Sequence, residues 1–267
     1  MSPGWSRLSW AVLRALADLW WPPVCAVCPR ALPLAEPGEG WRGHFCPACR
    51  DTVELLPEAR CPVCGRPFYH SASHLCGDCQ VDPPPFLTAR AAAVYGGAVA
   101  RSIGLLKYHG DLTQTRALAS LAAARLDPAD LDVIVPLPLT PRKLAARGFN
   151  QALVLARAAF PGRPLEPGLL SRTLEAGLPQ AALTRRERQR AIRGAFRVPA
   201  LGSVRGARVL LFDDVVTTGA TAAEAARTLL AAGARTVHLA AVAMTVRDAW
   251  TRDATLGPPL RPAGGFF

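Results

Sequence analysis

Two sets of residues in this chain have the types and spacing to do chemistry. The first is eight cysteines, every one in a C-x-x-C unit: Cys25 and Cys28, Cys46 and Cys49, Cys61 and Cys64, Cys76 and Cys79. Two residues between sulfurs let a tight turn aim both at one cation, and two such knuckles complete a tetrahedral zinc shell with no position left open for catalysis. Eight sulfurs therefore predict two structural Zn2+ ions. Consecutive pairing of the knuckles is the simplest arrangement; an interleaved pairing also satisfies the spacing. His44, His70 and His74 are expected to be bystanders, because the sulfurs already fill both shells. The second set lies in VLLFDDVVTTGAT, residues 209–221, where Asp213 and Asp214 end an apolar run and Thr217, Thr218, Gly219, Ala220 and Thr221 follow. A glycine permits a tight turn, and successive N–H groups at the start of a helix cradle a phosphate. Threonine hydroxyls add donors. Ionised carboxylates accept hydrogen bonds from a vicinal ribose diol and support a bound Mg2+. A phosphate held on one side and a diol on the other describe a ribose 5-phosphate. The stretch contains neither G-x-x-x-x-G-K-[ST] nor G-x-G-x-x-G, so no triphosphate or dinucleotide cradle is expected there.

Such groups need a sheet behind them. After PPPF at 83–86, read as a linker, the apolar periodicity predicts a strand over 90–95, helices over 99–107 and 112–126, and a strand over 131–138. One longer helix over 142–160 follows, then a buried strand over 209–212, a helix over 221–233 closed by Gly233, and a strand over 236–244. Strand and helix in repetition give an α/β fold: a mostly parallel sheet with helices on both faces. In such sheets ligands collect beyond the carboxyl ends of the strands, where the Asp213–Thr221 stretch falls. The expected organisation is an amphipathic helix over 1–22, a double zinc ribbon over 23–82, the α/β domain over 86–248 and a disordered tail over 249–267.

The 267 residues are half hydrophobic, which excludes a broadly disordered chain. The formal charge of +11 is uneven: residues 1–85 hold 7 arginines against 8 acids, and residues 86–267 hold 24 basic residues against 12 acids. The basic field belongs to the second part and attracts phosphates of any origin. Arg14 and Asp18 interrupt the apolar N-terminus, which reads as an amphipathic helix rather than a signal peptide, either packed on its own protein or lying at a membrane interface. Nowhere do about 18 apolar residues run together, so no transmembrane segment is expected and the predicted location is cytoplasmic. Free thiolates fit that reducing compartment.

VLLFDDVVTTGAT resembles the signature of type I phosphoribosyltransferases. That resemblance implies that Asp213 and Asp214 hold the ribose hydroxyls, and residues 217–221 the 5-phosphate, of phosphoribosyl pyrophosphate (PRPP), with Mg2+. The segments LLKYHGD at 105–111, PLPLTPRKLAARGFNQ at 136–151 and QAALTRRERQRAIRGAF at 180–196, with the cysteine knuckles ahead of them, resemble the ComF (GntX-type) family. That family is associated with natural competence and the uptake of single-stranded DNA, so the resemblance implies PRPP, single-stranded DNA and the DNA-uptake machinery as partners. A nucleobase-salvage phosphoribosyltransferase and a non-catalytic PRPP-binding module are the alternatives, because the signature specifies a ligand more than an activity.

By the same resemblance the turn after the 131–138 strand holds pyrophosphate, with Arg142 and Lys143 as the candidate cations; the opposing expectation is a solvated helix face. Asn150 and Gln151 serve equally as caps or packing polar groups. Lys107, Tyr108, His109 and Asp111 cluster in KYHGD, where a lysine meets an anion or an aromatic stacks on a base; no general base is assigned. Residues 171–197 carry seven arginines against Glu175 and Glu187 and read as a lid, a cationic track or a solvated loop. The family pattern has an asparagine where Ile192 stands, so a ligand contact made from that position would be lost.

Overall fold

The computed structural model describes residues 23–32, 40–128, 130–173, 192–199 and 204–246. The predicted helix over 1–22, most of the arginine-rich segment and the tail lie outside them.

A four-stranded sheet organises the chain. Its strands are β1 (Thr88–Val94), β2 (Val133–Pro136), β5 (Arg208–Val216) and β6 (Thr236–Met244), in the order β1-β6-β5-β2 and all parallel. Between them in the chain, β3 (Ser171–Arg172) and β4 (Phe196–Arg197) form a separate antiparallel pair. Alternate residues of the sheet feed two cores, as the period of a strand requires. Ala92, Leu210, Phe212 and Val242 face α1 (Gly97–His109), α2 (Gln114–Arg125) and α4 (Gln151–Ala159), meeting Ile103, Leu106, Leu118, Leu121 and Leu155. Ala91, Val209, Leu211, Leu239 and Ala241 face α5 (Ala220–Ala231), meeting Ala225 and Leu229. Helices on both faces of a parallel sheet are what the alternating pattern predicts.

Two expectations are corrected. The single helix over 142–160 is two: α3 (Pro141–Arg147) and α4. Gly148 adopts φ 80°, a left-handed stop that an L side chain resists, and Asn150 restarts the chain as an N-cap, its side-chain oxygen accepting from the amides of Ala152 and Leu153. The strand read over 209–212 continues to Val216, because its register with β6 runs on through Asp213↔Ala241 to Val216↔Met244. Asp213 and Asp214 therefore lie within a pleated strand, two residues before its end, and neighbours on a strand point to opposite faces.

The cysteine-rich region is fused to the sheet. β1 is an edge strand, and its open side accepts hydrogen bonds from or donates them to that region: Ala89 N–H to Val63 O at 2.6 Å, Val94 N–H to Glu54 O at 2.8 Å, with Leu55 bridged antiparallel to Ala93. The edge is thereby covered, which removes an unpaired template for association. The fit is close enough to demand glycine at Gly97 (φ 48°), where an added Cβ would stand 2.2 Å from the Thr52 carbonyl oxygen.

Candidate functional site

The sulfurs assemble into two clusters, Cys25, Cys28, Cys46 and Cys49, and Cys61, Cys64, Cys76 and Cys79, each with its four Sγ atoms within 4.8 Å of one another. The knuckles pair consecutively; the interleaved alternative is not adopted. Sulfurs held about 2.3 Å from one zinc ion lie about 3.8 Å apart. The observed separations are 3.7 Å for Cys28–Cys46 and Cys28–Cys49, and 3.6 Å for Cys64–Cys76. Burial acts to raise the Cys25 thiol, and backbone hydrogen bonds at Cys46, Val27 and Cys28 outweigh it, bringing its pKa down to about 6. The Cys61 thiol, under the same opposition of burial and the backbone of Cys76, Cys64 and Val63, falls to about 7. Cys49 moves the other way, raised by burial and by the sulfurs around it. A divalent cation relieves that crowding, so the donor set fits structural zinc at both clusters. No histidine joins them: the His74 ring stacks on Phe68 with centroids 3.9 Å apart and its Nδ1 meets the Ala72 carbonyl oxygen.

At the carboxyl end of the sheet, β5 delivers the second set. Gly219 takes φ 71° as the N-cap of α5, the left-handed turn for which a glycine is suited, and its carbonyl accepts from Ala223 N–H at 2.8 Å. The first amides of a helix have no intrahelical partner, and here the Ala220 amide lies 3.5 Å from Thr218 Oγ1. Thr217, Thr218, Gly219 and Ala220 line a cleft together with Cys64 and Cys79 of the second cysteine cluster, Arg66, Asp78, Phe86 and Met244. Thr217 is exposed; Thr218, Gly219 and Thr221 are half-buried.

The two acids differ. Asp214 is buried, 2% exposed, on the face toward α1 and α4. Its Oδ2 forms an ion pair with Lys107 Nζ from the last turn of α1, and its Oδ1 accepts from Gln151 Nε2 of α4 at 3.2 Å. Arg147 in turn donates to Gln151 Oε1. Asp213 remains partly exposed, and its Oδ1 accepts from Asp214 N–H at 2.8 Å. Burial of the Asp213 carboxyl and the charge of Asp214 beside it hold Asp213 well above the usual carboxylate range.

Arg142 and Lys143 are exposed on the first turn of α3, whose N-cap Thr140 accepts from Lys143 N–H. They share the sheet end with the acids, since β2 lies beside β5 and Leu137 N–H donates to the Phe212 carbonyl oxygen at 2.8 Å. Asn150 caps α4 and also donates to the Leu137 carbonyl oxygen at 3.1 Å, which ties down the turn between them. Asp111 is a structural group: it accepts from Thr113 and from Gln114 at the entry to α2. Ile192 is 2% exposed, so an apolar side chain suits its surroundings. Lys107 and Gln151 were legible as polar residues in the right segments, but pairing with Asp214 across 107 and 63 positions of chain depends on the helix packing alone.

Comparison with known proteins agrees with this arrangement. A double zinc ribbon domain model matches residues 16–80, and a phosphoribosyl transferase domain model matches residues 169–255. DNA utilization protein YhgH of Escherichia coli (strain K12) is 34% identical over 236 residues, covering 82% of this chain and 95% of that protein. Competence protein ComFC of Bacillus subtilis (strain 168) is 30% identical over 213 residues, covering 76% of this chain and 83% of that protein. A purine phosphoribosyltransferase from Pyrococcus horikoshii Ot3 overlaps 48% of this chain and 71% of its own at 21% identity, with a TM-score of 0.30, too loose an overlap to define the fold. With its cysteine clusters, its parallel sheet and relatives matched over nearly their full length, the chain belongs to the ComF family of double zinc ribbon phosphoribosyltransferase-domain proteins.

Proposed function

We propose that this protein binds PRPP with Mg2+ at the carboxyl end of β5 and serves in the handling of imported single-stranded DNA. The carrying observation is the open turn at Thr217–Thr221, where strand, left-handed glycine and helix start present amides beside a carboxylate pair. In this reading the amides and threonine hydroxyls hold the 5-phosphate, the acids accept from the ribose diol, and Arg142 and Lys143 meet the pyrophosphate. Mg2+ would neutralise phosphate charge near the acids and orient the pyrophosphate. The chain's own part in any transfer is to position the anomeric carbon and stabilise charge around it; no covalent nucleophile is called for. The DNA side of the proposal draws on the names of the relatives and on the surplus of basic residues over 86–267. A cytoplasmic location, where PRPP and reduced thiolates occur together, is part of it.

The test is retention of labelled single-stranded DNA by the zinc-replete protein, with and without PRPP and Mg2+. The expected result is salt-sensitive binding whose affinity changes when PRPP is present. Absence of binding at low salt removes the DNA role. Pyrophosphate release on adding a free nucleobase would instead support salvage.

A further inference from the structure

The two cysteine clusters occupy different places in the fold. Cys25 and Cys46 of the first are buried with Ile103, Leu118 and Leu121 on the α1 and α2 side of the sheet. Cys61, Cys76 and Cys79 of the second form a small core of their own, with Val63 and Phe68 packed against it. That second cluster adjoins the turn after β5, because Cys64 and Cys79 line the same cleft as Thr217, Thr218, Gly219 and Ala220. A run of close contacts joins the knuckle to the turn. Ala89 N–H donates to the Val63 carbonyl oxygen at 2.6 Å, which sets the Cys61–Cys64 knuckle against the start of β1. Gly65 follows at φ 73°, so near the sheet that an added Cβ would stand 2.5 Å from the Ala89 carbonyl oxygen and 3.3 Å from Met244 Cε. Met244 ends β6 in register with Val216, the last residue of β5 before the turn. Phe86, 5% exposed, lies against the turn itself: a Cβ on Gly219 would meet its ring at 3.9 Å.

Small cysteine-rich units hold their fold through the metal, so the turn has a wall whose position depends on the second cluster being filled. We propose that the second zinc site, and not the first, is energetically coupled to ligand binding at the Thr217–Thr221 turn, through Gly65, Met244 and Phe86. Coupling between two sites is reciprocal: what the metal contributes to holding the turn, a ligand on the turn returns as tighter metal retention. The inference rests on the PRPP reading above and deepens it.

The experiment exposes zinc-replete full-length protein to increasing zinc chelator at equilibrium, with and without saturating ribose 5-phosphate. Thiol alkylation and peptide mass spectrometry read each cluster separately. Ribose 5-phosphate is expected to raise the chelator concentration that exposes Cys61, Cys64, Cys76 and Cys79 by about fivefold or more, and to leave that for Cys25, Cys28, Cys46 and Cys49 within about twofold. Phe86→Leu, which stays apolar but removes the ring, is expected to retain both metals and to bring the shift at the second cluster within about twofold. The comparison of the two clusters needs no variant, so it decides the matter even if Phe86→Leu fails to fold. An equal shift at both clusters, no shift at the second while calorimetry shows ribose 5-phosphate bound, or a full shift in Phe86→Leu would overturn the coupling and leave the PRPP reading standing. If neither ribose 5-phosphate nor PRPP with Mg2+ binds the unaltered protein, the PRPP reading itself falls, and this inference with it.

Discussion

Asp213 sets stability against recognition. Its carboxyl is held above the ordinary range by burial and by Asp214, so the folded protein binds that proton more tightly than the unfolded chain does. The contribution of such a group to stability is greatest below its unfolded pKa, about 3.9, and declines as pH rises toward the folded value. Where the pH exceeds the folded value, a charged Asp213 is a cost to stability. Asp213→Asn is expected to raise the Tm at pH 7 by about 2–4 °C, to raise it less at pH 4, and to weaken PRPP binding. Calorimetric scans of both proteins across that range check it; a variant less stable than the unaltered protein at pH 7 would contradict the assignment. The composition of the site, two acids before a threonine-rich turn, was readable from residue types because each type has few chemical uses. Its asymmetry was not, because it depends on which helix lies under each face of the strand.

At the level of elements, the α/β rhythm was legible because alternating burial and helical periodicity are local properties. The break between α3 and α4 was missed for a physical reason. Arg142 to Phe160 is rich in helix-forming residues, and Gly148 inside such a run is tolerated often enough that one glycine does not forecast a stop. What ends α3 is the left-handed conformation at Gly148 together with the cap at Asn150, which also holds the Leu137 carbonyl. Asn150→Ala is expected to cost about 1–2 kcal/mol in urea unfolding. It should also reduce the effect of PRPP on Tm, since the turn proposed to meet pyrophosphate loses its tie; an unaltered ligand-induced shift would confine Asn150 to capping. The contact of Gly97 with Thr52 was equally silent in the sequence, because it joins two regions that read as separate. Gly97→Ala must move the Thr52 backbone and adopt an unfavourable φ, at about 2–4 kcal/mol; a change under about 0.5 kcal/mol would show that the junction yields easily.

For the whole molecule, the linker at 83–86 suggested two domains, and the packing joins them. Cys25, Val27, Trp41, Phe45 and Cys46 belong to the same core as Ile103, Leu118 and Leu121. A buried polar chain crosses the boundary as well: Gln114 of α2 accepts from Ser102 and donates to the Ala26 carbonyl, each at 2.6 Å. Small cysteine-rich units depend on metal for folding, so here zinc also supports the flank of α1 and α2. Removing zinc with a chelator is expected to lower the unfolding temperature of the entire protein in one transition. Two transitions, the upper one unmoved by chelation, would contradict that coupling. Among the described residues no helix is long and apolar enough to cross a membrane. In the function proposed above, the end of β5 and the start of α5 recognise a phosphorylated pentose. Titration calorimetry of PRPP and Mg2+ into zinc-replete protein tests it most directly. Saturable binding at one site per chain is expected, displaced by ribose 5-phosphate and weakened in the double variant Asp213→Asn, Asp214→Asn with both zinc ions retained; no binding at millimolar PRPP, or undiminished affinity in that variant, would rule this recognition out.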